Sequence, residues 1–358
     1  MKTIVFFNSV AAWGGGEKWH LEMASYLHDE QYRVIVYCQK GGELYQKTIA
    51  KKIETRPIDV GNLSFLNPYT ILKLKALFQK DDPDLLILNI SKDIKSGALA
   101  AKLAGVKKIV YRRGSAIPIK DNFLNRWYFK HVVTDMLTNS IATKKTVNEK
   151  NPNLFPEDKI KVIYNGLHLN EYYLNRKTDD TTFVIGNLGR LEFQKNQTAL
   201  IDLAVLLKEK IQDFKILIGG DGRLMHDLKQ KAKNLKVDDV IDFQGYITNV
   251  NCFMSQIDVF VLPSHWEGFG YVLAEASYHQ KPIVAYNVSS NPEIVKNDIT
   301  GFLLPKDALD LMAEKLLFLK NNPDLKEKIG IEGREFVMQN FDAKINQKAV
   351  EEYLLEII

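Results

Sequence analysis

Nine residues, Glu267-Gly-Phe-Gly-Tyr-Val-Leu-Ala-Glu275, have the types and spacing to hold a ligand at both ends. The apolar run 257–262 predicts a buried strand that stops at Pro263 and hands over to a glycine-rich turn. A helix follows, with Val272, Leu273 and Ala274 in its first turn. Its unpaired N–H groups, with Gly268 and Gly270 permitting close backbone approach, would suit phosphate oxygens or sugar hydroxyls. Glu267 precedes the helix and Glu275 lies inside it, so at a rise of about 1.5 Å per residue the carboxylates stand roughly 10 Å apart. Two diols joined through a diphosphate would span them, and that describes a nucleotide sugar. The competing reading is a plain turn flanked by two solvated glutamates.

Such a ligand needs strand ends that face one way. At 358 residues the chain exceeds one typical core, so two domains are expected. Strand-like runs alternate with amphipathic segments throughout, which is the α/β pattern. The first half has six, at 3–8, 33–38, 84–89, 108–111, 136–139 and 161–164; the second has six, at 183–188, 215–219, 240–244, 259–262, 282–286 and 301–304. Six and six predict two doubly wound sheets. The polar stretch 170–182, with Arg176, Lys177, Asp179 and Asp180, reads as the linker. Cys38 and Cys252 lie far apart with no metal-ligand spacing, as expected of free thiols in a reducing cytoplasm. The first apolar stretch is too short for a signal peptide, and no run approaches the roughly 20 apolar residues that span a bilayer.

The remaining candidates follow strands. Gly14-Gly15-Gly16-Glu17-Lys18 follows the first strand and precedes a helix over about 19–27, where glycines would admit a phosphate or sugar. A dinucleotide-binding reading fits poorly, because the Gly-x-Gly-x-x-Gly spacing and an acidic end to the second strand are both missing. Arg112-Arg113 closes the 108–111 strand and would grip a phosphate or carboxylate, or pair with a structural acid. Arg190 and Lys195 follow the 183–188 strand, placed to neutralise a diphosphate as a glycosidic bond breaks. Gly219-Gly220-Asp221-Gly222 makes another tight turn, and the backbone at Gly245-Tyr246 would meet a base edge or simply turn the chain.

Charge is uneven: residues 1–170 hold 26 Lys and Arg against 16 Asp and Glu, and the rest hold 22 against 28. A basic first half predicts an anionic partner or a plain surface bias. The stretches 70–80 and 121–133 set apolar residues, Trp127 and Tyr128 among them, between lysines and arginines. Such helices lie on anionic membranes or pack with basic outer faces.

Together these residues resemble the retaining GT-B glycosyltransferases of the family that includes glycogen-synthase-like and lipopolysaccharide enzymes, over nearly the whole chain. The resemblance rests on Gly14 to Glu17, Asn139-Ser140, Val162 to Leu167, Gly189-Arg190-Leu191 with Lys195-Asn196, and most specifically Pro263-Ser264 with Glu267 to Glu275. It implies two Rossmann-like domains facing each other across a cleft. An acceptor domain would span 1–169, a nucleotide-sugar domain 170–341, and a final helix over 342–358 would cross back to the first.

By the same resemblance Glu275 would hold the ribose, Glu267 the donor sugar, and Arg190 and Lys195 the leaving diphosphate. Gly268, Phe269 and Gly270 would offer N–H groups, with Val272 and Leu273 beside them, and Gly245 and Tyr246 at the base. Gly15 and Gly16 would line the other side. Many relatives carry a histidine where Arg112-Arg113-Gly114 stands, so Arg113 would take its place or bind an acidic sugar or a phosphorylated acceptor. His168 reads as structural, and His265, beside Glu267, packs its loop or reaches the sugar. No metal or other cofactor is implied, and a UDP-sugar is favoured over a GDP-sugar. The acceptor would be a lipid-linked or oligosaccharide surface glycan of lipopolysaccharide, O-antigen or capsule type. It would be met at the cytoplasmic face of an anionic membrane, with no nucleic acid involved. The rival readings are a nucleotide-sugar epimerase or phosphorylase on the same fold, or a non-catalytic nucleotide-sugar-binding protein.

Overall fold

The computed structural model describes residues 1–169 and 182–358, so most of the expected linker lies outside the described residues. Two compact units emerge, one of residues 1–165 with 344–358 and the other of residues 166–343. These breaks fall a few residues from the expected 169/170 and 341/342. The reason is local: the Leu167 N–H donates to the Phe341 carbonyl at 2.8 Å and the Ala343 N–H to the Leu167 carbonyl at 2.9 Å. Gly166 is glycine because a Cβ there would sit 2.3 Å from the Ala343 Cα.

In the first unit the strands are β1 (Thr3–Asn8), β2 (Arg33–Gln39), β3 (Glu54–Ile58), β4 (Leu85–Leu88), β5 (Lys108–Arg113), β6 (Asp135–Thr138) and β7 (Ile160–Val162). They form one parallel sheet in the order β3-β2-β1-β4-β5-β6-β7. Alternate residues of its central strands feed two apolar layers. Val5, Phe7, Leu86 and Leu88 face one layer, and Ile4, Phe6, Leu85 and Ile87 the other. Strands buried on both faces therefore read as unbroken apolar runs.

β3 escaped the sequence reading for the opposite reason. Glu54-Thr-Arg-Pro-Ile58 lies at the sheet's edge, where polar side chains and Pro57 are tolerated. The last helix, Ala343–Ile357, adds Val350, Tyr353 and Leu354 to the layer of Ile4 and Phe6. It is pinned there by Glu351, which accepts from Tyr26 at 2.8 Å and Tyr32 at 2.9 Å.

In the second unit β8 (Phe183–Leu188), β9 (Phe214–Gly219), β10 (Ile241–Gly245), β11 (Val259–Leu262), β12 (Ile283–Tyr286) and β13 (Gly301–Leu304) form a parallel sheet in the order β10-β9-β8-β11-β12-β13. In each sheet the order reverses once, between β1 and β4 and between β8 and β11. Loops at the carboxyl ends of those strands diverge and open a crevice.

Backbone hydrogen bonds tie the second unit's strand-end loops together. Gly189 donates to Gly219 at 3.0 Å, Leu191 to Asp221 at 2.9 Å and Gly220 to Gly245 at 2.6 Å. Gly220 has φ +128° and a Cβ there would lie 1.9 Å from the Gly189 carbonyl oxygen; Gly245 has φ +68° and open space around it. Gly220→Ala is expected to cost about 3 kcal/mol, strain plus collision, and Gly245→Ala only about 1 kcal/mol, strain alone. Urea unfolding of the two variants checks the difference.

Candidate active site

The second unit's crevice brings two of the candidate residues into contact. Lys195 ends a short 3₁₀ turn, Phe193–Lys195, on the loop after β8, and Glu267 lies on the loop after β11. The Lys195 Nζ donates to Glu267 Oε1 at 2.7 Å, and the Ser264 hydroxyl donates to the same oxygen at 2.7 Å. Glu267 is 4% exposed, so its charge is held by protein groups rather than by water.

The loops are laced by further bonds. The Gln194 amide donates to the Trp266 carbonyl at 2.9 Å, the His265 N–H to the Gln194 carbonyl at 2.8 Å, and the Asn196 amide to the Pro263 carbonyl at 3.2 Å. Ser290 donates to the Glu267 carbonyl at 3.3 Å. Asn196, at φ +52°, turns the chain from the 3₁₀ turn towards the helix Thr198–Lys208.

Arg190 is exposed, while its carbonyl accepts from the buried Gln197 amide at 3.1 Å. The backbone is thereby fixed and the guanidinium left at the surface. Gly270, at φ +85°, caps the helix Tyr271–Tyr278, and Glu275 sits half-buried in its second turn. Phe269 is buried edge-on against Tyr271 and Phe341, each at 5.3 Å.

Leu273 is better read as packing than as a ligand contact: its side chain is fully buried and its N–H donates to the Gly270 carbonyl at 2.9 Å. Val272 stays half-buried. The Gly245 carbonyl is engaged by Gly220, while the Tyr246 ring is exposed. His265 packs between Phe193, at 4.6 Å, and Trp266, and burial lowers its pKa.

The first unit builds a separate polar cluster at its own reversal point. Ser9, just past β1, donates its hydroxyl and, at 3.3 Å, its N–H to Asp93, beyond β4. Asn8 donates to the buried Glu17 at 3.0 Å. The helix Gly15–Asp29 opens on an exposed Gly15. Gly16 makes room for a side chain: a Cβ there would lie 2.0 Å from the Asn89 amide nitrogen.

Arg112 donates to Asn89 at 3.2 Å and to Asn165 at 2.7 Å, and lies 4.8 Å from the centre of the Trp19 ring. Arg113 takes a different role from the one expected. It is buried and donates to the Ile117 carbonyl, so it fastens its own loop. Asn89 and Asp93 escaped the sequence reading, though both follow a strand whose neighbour in the sheet carries the glycine turn. His20, fully buried beside Arg112, is pushed down to about 3, chiefly by burial, and stays neutral. Among the described residues no group of three or more His, Cys, Asp and Glu side chains is placed to hold a metal.

Two Rossmann-like parallel sheets, with ligand-type residues at their reversal points, define a GT-B glycosyltransferase architecture. The family model "Glycosyl transferases group 1" matches residues 174–336 and "Glycosyltransferase Family 4" matches residues 13–171. The chain belongs to the group 1 glycosyltransferases.

It is 27% identical over 340 residues to the capsular polysaccharide biosynthesis glycosyltransferase CapM of Staphylococcus aureus, covering 89% of each chain. It is 28% identical over 328 residues to the UDP-Gal:alpha-D-GlcNAc-diphosphoundecaprenol alpha-1,3-galactosyltransferase of Escherichia coli, covering 85% of this chain and 84% of that one. Anabaena HepE, solved in complex with UDP-glucose, superposes with a TM-score of 0.86 over 99% of this chain and 100% of its own, at 21% identity.

Burial lifts the Asp93 carboxyl from the ordinary 3.8 to about 7, against the opposing pull of the Ser9 hydrogen bonds and Lys92. The folded chain therefore binds this proton more tightly than the unfolded chain. The stability contributed is complete below about pH 4 and is lost as pH rises towards 7. Urea unfolding is expected to show stability declining through that window by up to about 1.4 kcal/mol per pH unit, and Asp93→Asn is expected to remove the decline.

Proposed function

We propose that the chain is a retaining hexosyltransferase that moves a hexose or amino-hexose from a UDP-sugar to a lipid-linked or oligosaccharide surface-glycan acceptor, at the cytoplasmic face of a membrane. The observation that carries this reading is the Lys195–Glu267 pair at the reversal point of the second sheet. Both hydrogen bonds fall on Glu267 Oε1, which orients the carboxylate for sugar hydroxyls at Oε2.

Lys195, drawn to the crevice by Glu267, and the exposed Arg190 take the charge that develops on the leaving diphosphate. Those two cations do the neutralising work assigned to a metal in other transferases. The N-terminus of the helix Tyr271–Tyr278, opened by Gly270, receives a phosphate, and Glu275 holds the ribose hydroxyls. As the bond from the anomeric carbon to the phosphate oxygen breaks, the acceptor oxygen bonds to that carbon on the same face. The acceptor's proton passes to the departing phosphate oxygen, which needs no protein nucleophile.

The E. coli relative, by its name, uses UDP-Gal and a lipid-diphosphate-linked acceptor, and HepE was solved with UDP-glucose. CapM supports a capsule-type product. The basic first half favours a partner that is itself anionic.

Glu275→Ala is expected to weaken UDP binding about tenfold or more, read by titration calorimetry; unchanged affinity removes the ribose assignment. Arg190→Ala is expected to lower kcat about a hundredfold while donor affinity falls only a few-fold, and equal losses reduce it to a binding contact. Hydrolysis of UDP- and GDP-sugars in turn identifies the donor. Binding with no turnover, even with candidate acceptors present, would favour a non-catalytic protein.

A further inference from the structure

We propose that the first unit docks on an anionic lipid bilayer through the connections 59–72 and 114–127, which follow β3 and β5. The proposal rests on the reading of a membrane-borne acceptor and identifies the surface that meets the membrane. In a parallel sheet these connections share the carboxyl-end rim with the loops of Ser9, Gly15 and Asp93.

After β3 the chain passes through a 3₁₀ turn, Ser64–Leu66, into the helix Pro68–Asp81. That helix buries Ile71, Leu74 and Phe78, yet leaves Tyr69 and Leu72 74% and 60% exposed, and before it Leu63 and Leu66 are 71% and 66% exposed. Tyr69 and Leu72 are three residues apart and share a face. On the helix Phe123–His131, Tyr128 and Phe129 turn inward, while Phe123, 81% exposed, and Trp127, 38% exposed, lie one turn apart on the outside. Trp127 rests edge-on against Tyr128 at 5.1 Å, while the other outer side chains are mostly exposed, and clustered exposed apolar side chains mark interaction surfaces.

Lys95 joins the two bands. Its ammonium lies 5.3 Å from the centre of the Phe65 ring, and its carbonyl accepts from the Tyr128 hydroxyl at 2.8 Å.

The fringe is mainly basic. Residues 59–80 hold Lys73, Lys75 and Lys80 against Asp59. Residues 114–131 hold Lys120, Arg126 and Lys130 against Asp121, whose carboxylate is bound by Arg126 at 2.6 Å. Exposed aromatic and leucine side chains on segments with a basic excess match a surface that is apolar below and anionic above. Tyr and Trp settle at the headgroup level and lysines reach the phosphates.

The test is vesicle flotation of the full chain with no glycolipid present. Binding to vesicles of phosphatidylcholine mixed with phosphatidylglycerol is expected, at least about tenfold tighter than to phosphatidylcholine alone, and weakened by salt. Leu66→Asp with Leu72→Asp, and separately Phe123→Asp, are expected to lose that binding by about tenfold or more while UDP affinity is unchanged. Lys73→Gln with Lys120→Gln is expected to narrow the difference between the two vesicle types.

Flotation that is absent, indifferent to lipid charge or insensitive to these changes overturns the proposal. So does a concentration-dependent dimer abolished by the same substitutions, which would assign the surface to a second copy. UDP binding is read on the same samples. Its loss with flotation intact would sink the donor reading alone.

Discussion

In a parallel sheet all strands end on the same rim, and where their order reverses the loops on that rim must part. Both sheets of this chain obey that rule, and both place their polar side chains at the parting. The second unit fills it with Lys195 and Glu267, the first with Ser9 and Asp93. The positions of these groups are therefore a consequence of chain direction. What they do follows from burial, because a carboxylate withdrawn from water must be matched by donors or give up its charge. Glu267 is matched by Lys195 and Ser264. Asp93, with Ser9 for a partner and Lys92 acting at a distance, is instead lifted towards neutrality.

The same contrast separates the two pairs of basic residues. Arg190 and Lys195 sit on a loop whose backbone is bonded to its neighbours, so one cation stays at the surface while the other is drawn to a carboxylate. Arg112 and Arg113 are buried among amides, a carbonyl and an indole ring. Arginines spent on internal acceptors shape a loop and leave little for a ligand. Arg112 in particular bears on Asn89, and Asn89 occupies the space beside Gly16, so the start of the first long helix is set from behind by a side-chain chain rather than by its glycines alone.

Much of this was legible beforehand. Alternation of apolar runs and amphipathic stretches reported two doubly wound sheets, since strands covered on both faces must be apolar throughout. The exception, β3, shows the limit, because an edge strand is half solvated and its Glu54, Arg56 and Pro57 carry no strand pattern. The glycines were legible as turns, yet their partners were not. Gly16 answers to Asn89 and Gly220 to the carbonyl of Gly189, contacts made across loops that are distant in sequence.

Residue order sets the class of fold, the turns that end its strands and the charged residues those turns carry. These depend on local properties: burial pattern, turn chemistry and residue type. Tertiary packing selects which charges meet. Lys195 and Glu267 are 72 residues apart and are joined because β8 and β11 are neighbours in the sheet. It also decided that Leu273 belongs to the core, that Arg113 serves its own loop, and that Leu66, Leu72 and Phe123 stay outside. Each outcome turns on what covers a side chain, and cover is supplied by segments far away in sequence.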